Sequence, residues 1–98
     1  MIGFEEFLSW KAAGLIPDDI SPLLQALLLD AAGDWDNAHG IAQKESSPDG
    51  SWVHAYLHRV EGDLGNASYW YRSAGRTMPE ISVEEEWEYI AMALIEKS

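Results

Sequence analysis

The sequence predicts an all-α fold of about six helices, built as a stack of antiparallel helical hairpins. Three observations carry this. Apolar residues recur at i, i+3, i+4 and i+7 in successive segments, and no segment alternates with the period of two that a strand requires. The glycines and prolines fall between those segments. The string Gly-Asp-x-x-Asn-Ala occurs twice, at Gly33–Ala38 and again 29 residues later at Gly62–Ala67. Ninety-eight residues make one domain, residues 1–98. An apolar fraction of 47% with five tryptophans opposes disorder, whose mark is low hydrophobicity.

The first helix is expected over residues 3–13. Phe4, Phe7, Leu8 and Ala12 share one face, and Gly14 stops it. The run L-I-P-D-D-I-S-P then breaks the pattern. Ser21 is positioned to cap a second helix and Pro22 suits its first turn. Leu23, Leu24, Leu27, Leu28 and Ala31 form its buried stripe, and Gly33 ends it. Asp34 caps the third helix, which turns Trp35, Ala38, Ile41 and Ala42 inward. The polar run K-E-S-S-P-D-G reads as a loop, with Ser51 as cap of the fourth helix. That helix carries Val53, Tyr56, Leu57 and Val60 and stops at Gly62. Asp63 caps the fifth, with Leu64, Ala67, Ser68, Tyr71 and Ala74 on its stripe. Ser82 and Glu85 form an S-x-x-E capping box opening the sixth helix, over residues 82–97. Its stripe of Trp87, Ile90, Ala91, Leu94 and Ile95 is the cleanest amphipathic signal in the chain.

The repeated string explains how the hairpins close. Each glycine sits where one helix stops and can take the left-handed conformation that ends it. Each aspartate caps the next helix and favours its positive end. Asn37 and Asn66 lie in the first turn, where a side-chain oxygen can reach a free amide. With almost no loop between them, the two helices must fold back on each other. Ala38 and Ala67 are small where the helices approach. The hairpins are expected over about 21–44 and 51–76, flanked by the first and sixth helices.

The stretch from Ser51 to Pro79, S-W-V-H-A-Y-L-H-R-V-E-G-D-L-G-N-A-S-Y-W-Y-R-S-A-G-R-T-M-P, resembles one tetratricopeptide repeat. Trp52, the Gly62-Asp63 turn, Ala67, Tyr71, Ala74 and Pro79 stand close to that repeat's landmark positions. The string A-S-Y-W-Y-R-S-A is also similar to the related Sel-type repeat. The first copy, Ser21 to about Gln43, keeps the turn and the alanine. The resemblance implies a right-handed stack of hairpins in which the outer helices act as partial repeats or caps. It also implies a non-enzymatic protein–protein interaction or scaffold role, with a protein or peptide as partner.

Charge narrows the partners. Seventeen acids against six bases give a net charge of −11. Such a surface cannot release counterions from nucleic acid, and it is repelled by anionic membranes, so neither is expected as a partner. A basic partner would be steered toward it. The longest apolar run is far short of the ~20 residues that span a bilayer. The opening M-I-G-F-E-E-F-L has acids where a secretory leader carries positive charge, so the expected location is cytoplasmic. No cysteine is present, which removes disulfides and thiolate chemistry.

The candidate binding residues are His54, His58, Glu61, Tyr69, Trp70 and Arg72. His54, His58 and Glu61 are spaced i, i+4 and i+7 on the fourth helix. Two histidines at that spacing can share a metal ion, Glu61 can add a third ligand, and His39 on the neighbouring helix can come near. The competing reading is preferred: the rings seal a helix–helix seam, no cofactor is bound and no metal site is assigned. Tyr69, Trp70 and Arg72 form an aromatic–cationic run of the kind found in binding hot spots, although packing against a neighbouring helix is expected for Trp70. Arg72 and Arg76 are expected to pair with Glu61, Asp63 or Glu80, and Glu84, Glu85, Glu86 and Glu88 to form a solvated face favoured by the helix dipole. No nucleophile elbow, phosphate loop or positioned acid–base pair is present, so an enzyme is not expected. The alternative function is small-ligand or metal binding on the His54/His58 face. The sixth helix must bury its stripe, under the fifth helix and its neighbours or in a homodimer.

Overall fold

Among the described residues of the computed structural model, six α-helices follow one another: α1 (Phe4–Ala13), α2 (Pro22–Ala31), α3 (Trp35–Lys44), α4 (Pro48–Val60), α5 (Leu64–Ser73) and α6 (Val83–Lys97). The structure describes residues 2–97; Met1 and Ser98, the ends of the expected domain, lie outside the described residues. No strand occurs among the described residues, and none of the helices is long and apolar enough to cross a membrane.

The two Gly-Asp links are built alike. Gly33 and Gly62 have φ of 88° and 87°. The amides of Gly33 and Asp34 return to the carbonyls of Asp30 and Leu29, and those of Gly62 and Asp63 to Arg59 and His58. This is the Schellman closure, in which two carbonyls left over at the helix end find donors. Asp34 and Asp63 then accept the amides of Asn37 and Asn66 at 3.3 Å. The asparagines work differently from expectation: each side-chain amide donates to the capping carboxylate, at 2.7 and 2.8 Å, locking the cap instead of accepting a helix amide.

Two helix starts also depart from the sequence reading. Ser21 precedes α2, but its hydroxyl makes no capping bond; Pro22 at the first position already removes one of the free amides. The fourth helix starts earlier than Ser51. Ser47 accepts the Gly50 amide at 3.0 Å and Pro48 takes the first helical position, so S-P-D-G is a helix start that resembles a loop in composition. Gly50 is required there, because a Cβ would lie 2.1 Å from the Glu45 carbonyl oxygen. Ser51 is buried and bonds the Ser73 hydroxyl of α5 at 3.2 Å.

The core gathers around α4, whose residues Gly50 to His58 are all buried. It packs against α2, α3, α5 and α6, and α2 folds back on α3 as α4 does on α5. Buried on the predicted stripes are Phe7, Leu23, Leu24, Leu27, Leu28, Ala38, Ala42, Val53, Tyr56, Leu57, Ala67 and Tyr71. Ala12, Ala31, Val60 and Leu64 are exposed instead, since each lies near a helix end beyond its neighbour's cover. The stripe of α6 is buried within the chain, yet its cover is α4, α2 and α1 in place of α5. Trp87 anchors it: the indole N–H donates to the Leu27 carbonyl at 2.9 Å, and its ring stacks on Phe7 at 5.5 Å.

One acid of the α6 run is the opposite of solvated. Glu86 is 2% exposed. It accepts Arg59 Nη1 at 2.8 Å, the Tyr71 hydroxyl at 2.7 Å and Trp52 Nε1 at 3.3 Å. Arg59 also donates to the Ile81 carbonyl. Burial and the adjoining Glu86 push the Tyr71 phenol far up, which keeps it protonated as a donor. Removing the acid strands a mostly buried guanidinium, a change that costs about 3–5 kcal/mol. Glu86→Ala is therefore expected to lower stability by about that amount. Gly62→Ala meets no atom within 4 Å and carries only the left-handed backbone penalty, about 1–2 kcal/mol. Chemical denaturation of both variants checks this order; equal losses would contradict it.

Candidate functional site

Packing α3 onto α4 sets three imidazoles together. Trp35 fixes the approach, its indole N–H donating to the Leu57 carbonyl of α4 at 2.8 Å. That places His39 of α3 against His54 and His58 of α4. The Nε2 atoms of His39 and His54 are 2.9 Å apart. Ring centroids lie 4.6 Å apart for His39–His54, 5.1 Å for His39–His58 and 4.9 Å for His54–His58. Trp35 stacks on His39 at 4.8 Å and Trp70 on His54 at 4.1 Å, closing the trio from both sides. His54 and His58 are buried and His39 is half-buried.

Of the six predicted binding residues, five converge here. Glu61 Oε1 meets His58 Nδ1 at 2.7 Å. Trp70 packs on the cluster, and Tyr69, exposed, sets its ring edge-on to Trp70 at 5.1 Å. Arg72 does not join: it is exposed, and among the described residues it forms no ion pair. The expected pairing of Arg76 is also absent; its guanidinium lies 3.4 Å from the centroid of the Trp52 ring. His39, His54 and His58 can present ligand nitrogens all within 4.8 Å of one another, as can His58, Glu61 and Asp63 with their own donors.

A second feature was not visible in the sequence. The segment after α5 folds over the start of α4 and forms a cleft of about 200 Å³ lined by Trp52, Arg76, Thr77, Pro79, Ile81, Glu86 and Tyr89. Tyr89 of α6 meets Trp52 edge-on at 5.9 Å and remains 59% exposed. Aromatic residues at Trp52 and Tyr89 and a cation at Arg76 were the only signals, and nothing local joins them.

The chain matches no family model, no curated protein and no solved structure.

The trio has an electrostatic consequence. Burial, with His39 and His58 beside it, lowers the His54 pKa to about 4 from an ordinary 6.5. Burial and His58 also lower that of His39, partly opposed by Glu61 and Asp36. Between pH 4 and 6.5 the unfolded chain thus binds more protons than the folded one, so stability rises with pH across that window. The contribution is complete above about 6.5 and is lost as pH falls toward 4. The melting midpoint, measured with chelator present, is expected to drop from pH 7 to pH 4.5, and less steeply in His54→Gln. Equal slopes would show that other groups control the drop.

Proposed function

We propose that this chain is a non-enzymatic protein–protein interaction domain of tetratricopeptide-like kind, and that the cleft of Trp52, Arg76 and Tyr89 is where a partner docks. The two hairpins, closed by matching Gly-Asp links and joined by contact of α3 with α4, support the repeat reading. Because α6 covers α2 and α4, the docking place falls at the edge of the array, beside α6.

The cleft itself is the observation that carries the proposal. Its volume of about 200 Å³ is below the roughly 300–1,000 Å³ of small-molecule pockets, and suits one apolar side chain of a larger partner. Its walls are tryptophan, tyrosine and arginine, the residue types that dominate binding hot spots. Trp52 is held from behind by Glu86, so it is already ordered and loses little freedom on binding. Exposed acids flank the lining residues along the chain: Glu80, Glu84, Glu85 and Glu88. The partner is therefore a basic segment bearing an aromatic or aliphatic anchor.

Panning a displayed peptide library on the folded protein tests this. Enriched peptides are expected to carry Lys or Arg around an aromatic residue or Leu and to weaken as salt rises. Tyr89→Ala, at an exposed position, should reduce their affinity at least about tenfold, equivalent to about 1.4 kcal/mol. Acidic enriched peptides, no enrichment, or equal binding to Tyr89→Ala would each overturn the proposal.

A further inference from the structure

The histidine trio packs as a seam of stacked rings, yet it also gathers ring nitrogens, which carbon-on-carbon packing does not require. His39 and His54 can satisfy only one N–H···N bond between their Nε2 atoms, 2.9 Å apart. His58 has Nδ1 held by Glu61, so Nε2 is the nitrogen it can offer to a ligand.

We propose that His39, His54 and His58 form a binding site for one borderline divalent transition-metal ion, of which zinc is the type. The spacing fits. Zinc–imidazole bonds of about 2.0–2.1 Å at a tetrahedral angle put ligand nitrogens about 3.3 Å apart. The observed separations, from 2.9 Å for the closest pair to within 4.8 Å for all, bracket that value, so small side-chain shifts complete the set. The site also has the outer support that metal-binding imidazoles use. Glu61 orients His58 through the opposite nitrogen. Trp35 and Trp70 fix the planes of His39 and His54.

An all-nitrogen donor set selects zinc, nickel, cobalt or copper over magnesium and calcium, which take oxygen ligands. Half-buried His39 is the side open to entry. Three protein ligands leave a fourth position for water or an incoming group. The ion would tie α3 to α4, and so the first hairpin to the second. This site uses none of the residues that line the peptide cleft, and the two proposals stand or fall separately.

Calorimetric titration of zinc chloride into chelator-treated protein at neutral pH tests the site. One ion per chain is expected, with no competition from excess magnesium or calcium. His39→Gln, at a half-buried position, should weaken binding at least about tenfold while its melting midpoint reports that it still folds. Glu61→Gln, which removes only the outer support, should weaken it about tenfold. Cobalt bound to the unaltered protein should give the visible absorption of a tetrahedral nitrogen-rich site, a readout that needs no variant. Absence of zinc binding, zinc binding unchanged in His39→Gln, or displacement of zinc by magnesium would overturn the assignment.

Discussion

A carboxylate out of water governs this structure. Glu86 lies inside the protein and draws three donors to itself: Arg59 and Trp52 from α4, and Tyr71 from α5. A buried charge is tolerated only when paired and hydrogen-bonded, so these elements must arrive in one register or leave the acid unmatched. The requirement reaches beyond stability. It ties α6 to α5 through Tyr71, although the backbone of α6 packs on α4, α2 and α1. It also orients Trp52, which becomes the wall of the cleft and the surface on which Arg76 rests.

The same logic runs through α4. A helix buried on nearly all sides must pair every polar side chain it carries. Ser51 finds Ser73, Tyr56 finds Asp30 at 3.0 Å, and His54 and His58 find His39 and Glu61. No buried side-chain nitrogen or oxygen is left without a partner among the described residues. The candidate cluster is thus continuous with the core. Its imidazoles are ordered by helix packing, unlike ligands carried on a loop.

What could be read in advance follows the range of the interaction. The Gly-Asp closures and the Ser82–Glu85 capping box, with bonds of 3.0 Å in both directions, involve residues within one or two turns, and a local pattern specifies them. The start of α4 was hidden because serine, proline, aspartate and glycine serve loops and helix starts alike. Glu86 was hidden among three neighbouring acids: nothing within the run tells which one meets Arg59, 27 residues earlier. The pairing of His54 with His58 follows from helical spacing, whereas His39 joins them only because α3 lies on α4. Arg72 lies apart from the cluster for the converse reason: Trp70 of the same helix packs on His54, with Tyr69 against it, while Arg72 is exposed on another side.

The bond from Trp87 to the Leu27 carbonyl joins residues 60 positions apart. Hairpins closed by three-residue links can form while the chain is still growing, because their partners emerge together. The sixth helix emerges after the other five, and until then the apolar faces of α1, α2 and α4 that it covers stand bare. During synthesis the nascent chain consequently passes through a stage that is mostly helical yet adhesive. That stage ends only when α6 has emerged and packed, so any delay before it does would prolong the time in which chaperones must shield the chain.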